Sequence, residues 1–143
     1  MSKIFLWKPS DSVDVALIDQ QHQELFDTAQ HLYDALKRAD GTAVAEEVFS
    51  RLVGYSSNHF AAEEALMAKQ NYPSLKSHRF EHRAFTTQLH EFQKDFQAGH
   101  KSVVTALLLY LQKWIKAHVQ GADHHFAEFL KAHAQAKAQS AGQ

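Results

Sequence analysis

Apolar residues recur at helical spacing in four successive stretches of the chain, each closed by residues that favour turns. The first stripe, Leu25, Ala29, Leu32 and Leu36, predicts a helix capped by Asp19 that runs to about Lys37, ahead of Asp40-Gly41. The second, Val48, Leu52, Tyr55, His59, Ala62 and Leu66, predicts a helix from a Thr42 cap to Lys69. Asn71-Tyr72-Pro73-Ser74 reads as a turn. Ser74 then caps a third helix to about Gln97, with His78, His82, Phe85, Leu89 and Phe92 facing in. Gly99 breaks it, and a fourth helix starts near His100 or Lys101. Its inner positions are Val104, Leu107, Leu108, Leu111, Trp114, Ile115 and His118.

The flanks differ from these stretches. Residues 1–18, with Trp7, Pro9 and the apolar run from Val13 to Ile18, read as an extended arm across the helices. Residues from about 121 to 139 continue the last helix, lose their apolar face after Leu130 and are expected to fray at the end. Short gaps between helices favour antiparallel neighbours. The expected fold is all-α: an up-down-up-down antiparallel four-helix bundle over about 19–120, with an N-terminal arm and a C-terminal helical extension, in one domain spanning 1–143.

Composition narrows the chemistry. The formal charge is -1 with mixed signs along the chain, so no basic run points to nucleic acid. There is no cysteine, which excludes disulfides, thiolate ligands and cysteine nucleophiles. No apolar stretch is long enough to span a bilayer, and the N-terminus lacks the apolar core of a signal peptide, so a cytoplasmic, monomeric protein is expected. Histidine is the anomaly, with eleven copies.

Five of those histidines fall into a pattern with two carboxylates. His59 and Glu63, and His78 and His82, are each four residues apart, so each pair projects from one helix face. His22 comes from the first helix, and His118 and Asp123 from the last. The spacing of five between the last two would separate them by roughly 140° on an ideal α-helix. A widened π-type turn brings them back to one face, and Gly121 between them tolerates such a distortion. Seven such side chains suit two metals, with Glu63 and Asp123 as the natural bridges and the five imidazoles divided three to two. The nitrogen and carboxylate mix suits iron ahead of manganese, cobalt or zinc.

These residues lie in motifs that resemble the bacterial hemerythrins: DQQHQELF around His22, HFAAEEALM around His59 and Glu63, SLKSHRFEHRAF around His78 and His82, and WIKAHVQGADHHF around His118 and Asp123. Trp7, SVDV and Ile18-Asp19 resemble the family's opening arm, although Asp14 stands where glycine is usual. The resemblance covers about residues 5–130. It implies two non-heme iron ions with an oxo or hydroxo bridge, one held by His78, His82 and His118, the oxygen-receiving one by His22 and His59, and both bridged by Glu63 and Asp123. Phe60, Trp114, Ile115 and Val119 resemble the apolar residues around the family's ligand pocket.

The function implied is reversible binding of dioxygen for storage, transport or delivery, without enzymatic turnover, in exchange with an oxygen-consuming enzyme or a reductase. Ferritin-like oxidases carry more carboxylates than this histidine-rich set. The alternatives are a di-iron enzyme that reduces nitric oxide or peroxide or oxidises ferrous iron, and a structural or metal-storage protein. Among the remaining residues, Glu64 reads as part of a solvated face and Tyr55 as packing. Tyr110 lies in a ladder with Trp114 and His118, where packing is the expected role. His124, His125, His31, His90, His100 and His133 are expected outside the site.

Overall fold

A computed structural model describes residues 3–141, and side chains for residues 3–134. Four helical rods follow one another: α1 (Ala16–Lys37), α2 (Gly41–Lys69), α3 (Leu75–Gln97) and α4 (Val103–Trp114). The fourth rod continues without a break through a π-helical segment, Ile115–Ala122, into α5 (Asp123–Ala141). Consecutive helices pack together, and α4 closes against α1. This is the expected all-α four-helix bundle. No helix among the described residues is long and apolar enough to cross a membrane.

The apolar stripes meet along the bundle axis. Leu25, Leu32, Phe49, Leu52, Phe85, Leu89, Leu107 and Leu111 are almost entirely buried. Withdrawing each such side chain from water contributes about 2 kcal/mol, which is why the stripes select this arrangement. One expected stripe shifts. On α2 the fully buried residue of the last turns is Met67, while Leu66 and Ala62 are half-buried. The buried row there runs His59, Glu63, Met67, because Glu63 takes the inward position.

The arm is held by specific bonds. Gln30 Oε1 accepts the backbone N–H groups of Ile4 and Phe5, each at 3.0 Å. Trp7 packs edge-on against Phe26 at 5.4 Å. A 3-10 turn, Pro9–Asp11, follows, and the buried Asp11 carboxylate accepts Gln120 Nε2 from the π segment at 3.0 Å. The arm is shorter than its expected 18 residues, because α1 begins at Ala16. Asp19 therefore does not cap that helix. Its carboxylate accepts the Ser12 hydroxyl and the Val13 N–H, tethering the arm to the first turn. Thr42 is likewise no cap: α2 starts at Gly41 after Asp40. Ser74 sits at the expected cap position of α3, but its side chain makes no capping bond. The fourth rod begins at Val103, slightly after the expected His100 or Lys101.

Asp14 has φ 59°, in the left-handed region. That conformation accounts for glycine being usual there, and aspartate is one of the few other residues that tolerate it.

Gly41 is needed for a different reason than the turn expected at Asp40-Gly41. A β-carbon there would meet the Leu36 side chain at 2.5 Å and Val104 at 3.3 Å. The chain reversal instead uses Ala39, with φ 61°. The bonds Asp40 N–H to Ala35 O (2.7 Å) and Ala39 N–H to Leu36 O (3.1 Å) form a Schellman cap. The same two-bond cap ends α2 at Asn71 (φ 53°) and α3 at Gly99 (φ 97°). The burial of Phe126 and Ala127 carries the packed part of the last rod past its expected limit near residue 120. The C-terminal extension, expected to fray at its end, is helical as far as Ala141.

Of the three capping positions, only Ala39 carries a β-carbon without a side chain suited to positive φ. Ala39→Gly is expected to raise the unfolding free energy by about 0.5–1 kcal/mol. Urea denaturation measures this, and an unchanged or lowered midpoint would contradict the assignment.

Candidate metal centre

The five spaced histidines and two carboxylates converge in one buried cluster. His22, His59, Glu63, His78, His82, His118 and Asp123 are each at most 2 % exposed. They come from α1, α2, α3, the π segment and the first residue of α5. The π turn predicted from the five-residue spacing is present: the Asp123 N–H bonds to His118 O. Gly121 is not required for it, because an added β-carbon would lie 3.8 Å from Lys116 O, an ordinary contact.

The two carboxylates divide their oxygens between two sets of imidazoles. Glu63 Oε1 lies 2.7 Å from His78 Nε2 and 3.2 Å from His82 Nε2. Its Oε2 lies 3.3 Å from His59 Nε2 and 3.9 Å from His22 Nε2. Asp123 Oδ1 faces His78 Nε2 at 2.7 Å and His118 Nε2 at 3.3 Å, while Oδ2 faces His22 Nε2 at 3.0 Å. Two four-residue groups result, each with ligand atoms within 4.8 Å of one another: Glu63, His78, His82 and His118, and His22, His59, Glu63 and Asp123.

Outer hydrogen bonds orient two of the rings. Gln21 Oε1 lies 2.8 Å from His59 Nδ1, and Glu64 Oε2 lies 2.8 Å from His82 Nδ1. Such partners hold the proton on Nδ1 and turn the Nε2 lone pair inward. Glu64 is thus not simply part of a solvated face. It also accepts Arg79 Nε at 3.1 Å, and only a quarter of its side chain is exposed. Gln21 did not stand out in the sequence, and Glu64 read there as part of a solvated face. The one available signal was that each directly adjoins a spaced ligand-type residue, His22 or Glu63.

Aromatic rings stack on three imidazoles. Phe60 lies on His82 with centroids 3.9 Å apart, Trp114 on His118 at 4.0 Å, and Tyr55 on His59 at 5.0 Å. Ile115 and Val119 are buried in the same core. Tyr110 lies away from the cluster, half-buried between Phe85 and Phe92. His124 and His125 follow Asp123 but join neither group of ligand atoms. His31, His90, His100 and His133 are exposed or half-buried.

Seven polar groups in an apolar core would carry a heavy desolvation penalty if left uncompensated. Without a cation the cluster must compensate itself with protons. Burial opposes charging His78, yet hydrogen bonds to Asp123 and Glu63 hold it up at about 9. Burial likewise opposes charging His118, which the same carboxylates hold at about 10. Burial would raise Asp123 and Glu63, but bonds from the histidines pull Asp123 down to about 2 and hold Glu63 well below the usual carboxylate range. Burial keeps His59 below its ordinary value. It also pushes the Tyr55 hydroxyl well above its own, aided by the charges of Asp123 and Glu63.

Protons do not complete the arrangement. His22 Nε2 and Asp123 Oδ2, and His59 Nε2 and Glu63 Oε2, stand close to one another but do not align as hydrogen bonds, so these four buried atoms are unsatisfied among the described residues. Inward lone pairs from five imidazoles and two carboxylates are what divalent transition-metal ions satisfy, so the residues fit a metal centre.

Comparison with known proteins leads to the same donor chemistry. A family model described as "Hemerythrin HHE cation binding domain" matches residues 13–130. A bacteriohemerythrin of Stenotrophomonas maltophilia is 32% identical over 130 residues, covering 91% of this chain and 84% of its own. One from Pseudomonas aeruginosa is 30% identical over 126 residues, covering 88% and 81%. A myohemerythrin of Riftia pachyptila is 28% identical over 122 residues, covering 85% and 90%. The matched span contains all seven inward-facing donors, and with them the chain belongs to the hemerythrin family.

Proposed function

We propose that the chain binds dioxygen reversibly at a di-iron centre, for storage, transport or delivery. The carrying observation is the division of each carboxylate, one oxygen toward imidazoles of the set His78, His82 and His118 and the other toward His22 or His59. That division suits Glu63 and Asp123 to bridging two ions, with His78, His82 and His118 on one and His22 and His59 on the other. An oxo or hydroxo group would complete the bridge. A ferrous pair supplies two electrons together, as reversible capture of dioxygen requires.

The residues of the chain set the rest. The His22 and His59 side has one imidazole fewer, which leaves room there for a small ligand. Phe60, Trp114, Ile115 and Val119 are buried apolar neighbours that keep water from the centre. Slow water access favours release of dioxygen over irreversible oxidation, so this reading makes the protein a carrier and not an enzyme. It takes the chain to work as a monomer in the cytoplasm, unloading to an oxygen-consuming enzyme or restored by a reductase.

Anaerobic reduced protein, exposed to oxygen and then degassed, tests the reading optically. Two irons per chain and a charge-transfer band that appears with oxygen and disappears on its removal are expected. A band that persists, or iron that oxidises without recovery under repeated cycles, would move the protein into the enzyme class. Glu64→Ala removes the outer partner of His82 and is expected to weaken iron affinity about tenfold or more. Competition with a chelator measures it. Affinity equal to the parent would remove Glu64 from that role.

A further inference from the structure

Besides the outer nitrogens His22 Nδ1 and His118 Nδ1, the unsatisfied buried atoms around the centre are of two kinds. His22 Nε2, His59 Nε2, Glu63 Oε2 and Asp123 Oδ2 are lone-pair atoms that cations satisfy. Tyr55 Oη and Trp114 Nε1 are also buried with no hydrogen-bond partner among the described residues. Their need is the opposite one. An indole N–H only donates, and a phenol hydroxyl keeps a proton to give. Trp114 Nε1 lies beside the Tyr55 hydroxyl and acts to lower its pKa, but the two do not align as a hydrogen bond, so metal loading leaves both protons without an aligned acceptor.

Their position ties them to the centre. Tyr55 stacks on His59 at an interplanar angle of 14°, and Trp114 stacks on His118 at 10°. Phe60 packs against both, with centroids 6.1 Å from Tyr55 and 5.9 Å from Trp114. Tyr55 comes from α2 and Trp114 ends α4, so the donors approach from different rods. The rim of the Tyr55 ring also lines a surface groove of about 500 Å³ between α1 and α2, together with Gln21, Glu24 and Asn58. The hydroxyl itself is turned away from solvent.

We propose that Tyr55 Oη and Trp114 Nε1 form a two-donor cradle for the small electron-rich ligand taken up at this centre. The ligand class is a small hydrogen-bond acceptor that carries negative charge when bound, either reduced dioxygen or a compact monoanion. A buried donor left unpaired is costly, whereas one bonded to a charged acceptor is among the stronger hydrogen bonds in proteins. The cradle thus favours a ligand that has gained charge over one that has not. The pocket is therefore not wholly apolar, and Tyr55 acts as more than packing. This inference rests on the di-iron reading above.

Azide binding to the oxidised, iron-loaded protein is the test, followed optically for the parent, Tyr55→Phe and Trp114→Phe. Both variants keep the aromatic stack and lose only the donor. Each is expected to retain two irons and to weaken azide binding by about tenfold. Thermal unfolding of the metal-free chains gives a second readout. Tyr55→Phe is expected to melt no lower than the parent, since its hydroxyl makes no aligned protein hydrogen bond, only a side-on approach to Trp114 Nε1. Azide affinity equal to the parent in both variants overturns the cradle. So does a metal-free Tyr55→Phe protein that melts several degrees lower, which would give the hydroxyl a structural bond. A visible tyrosinate band in the parent that vanishes in Tyr55→Phe would make Tyr55 a metal ligand, and would overturn it also. A parent chain that takes up no iron pair would instead overturn the di-iron reading, and the cradle with it.

Discussion

Two carboxylates held in an apolar core between five imidazoles set the terms for this fold. Glu63 and Asp123 are each 1 % exposed, and every histidine facing them is buried to a similar degree. An isolated ion at such a depth costs several kcal/mol even after relaxation. The bundle holds them because opposing donors come from every rod. Each rod therefore contributes both apolar packing and a polar group that must find its partners at the centre.

This requirement reaches outward through the structure. The π segment exists where His118 and Asp123 must both face inward despite being five residues apart. The arm is fastened to that same segment through Asp11 and Gln120, and to α1 through Gln30 and Asp19. Glu64 and Gln21 fix ring orientation from outside the cluster. Stacked aromatic rings fill the space beside the imidazoles. A disturbance in the arm can thus reach the centre through few intermediates.

Much of this was legible in the chain because it is periodic. The stripes of α1 and α3, and the paired spacing of His59 with Glu63 and His78 with His82, follow directly from helix geometry. The irregular spacing of His118 and Asp123 was just as informative, since only a widened turn reconciles it with one face. Features set by contacts between rods were not legible. Glu64 bonds a ring on α3 and Gln21 a ring on α2, and neither pairing leaves a periodic trace. Asp19 looked like a cap because its residue type favours one, but Ser12 and Val13 claim its carboxylate. Ala39 carried no turn signal at all, since alanine rarely adopts the conformation it has here. The unpaired state of Tyr55 Oη and Trp114 Nε1 is likewise a property of packing and not of pattern.

The proposed function stands on a cluster whose inward lone pairs suit two cations together. The most direct measurement is anaerobic titration of metal-free chain with ferrous iron, followed by thermal unfolding at each step. Binding to the folded state alone raises the unfolding temperature. A rise that levels off at two irons per chain is the result this account predicts. A rise that stops at one iron, or no rise at all, would contradict it.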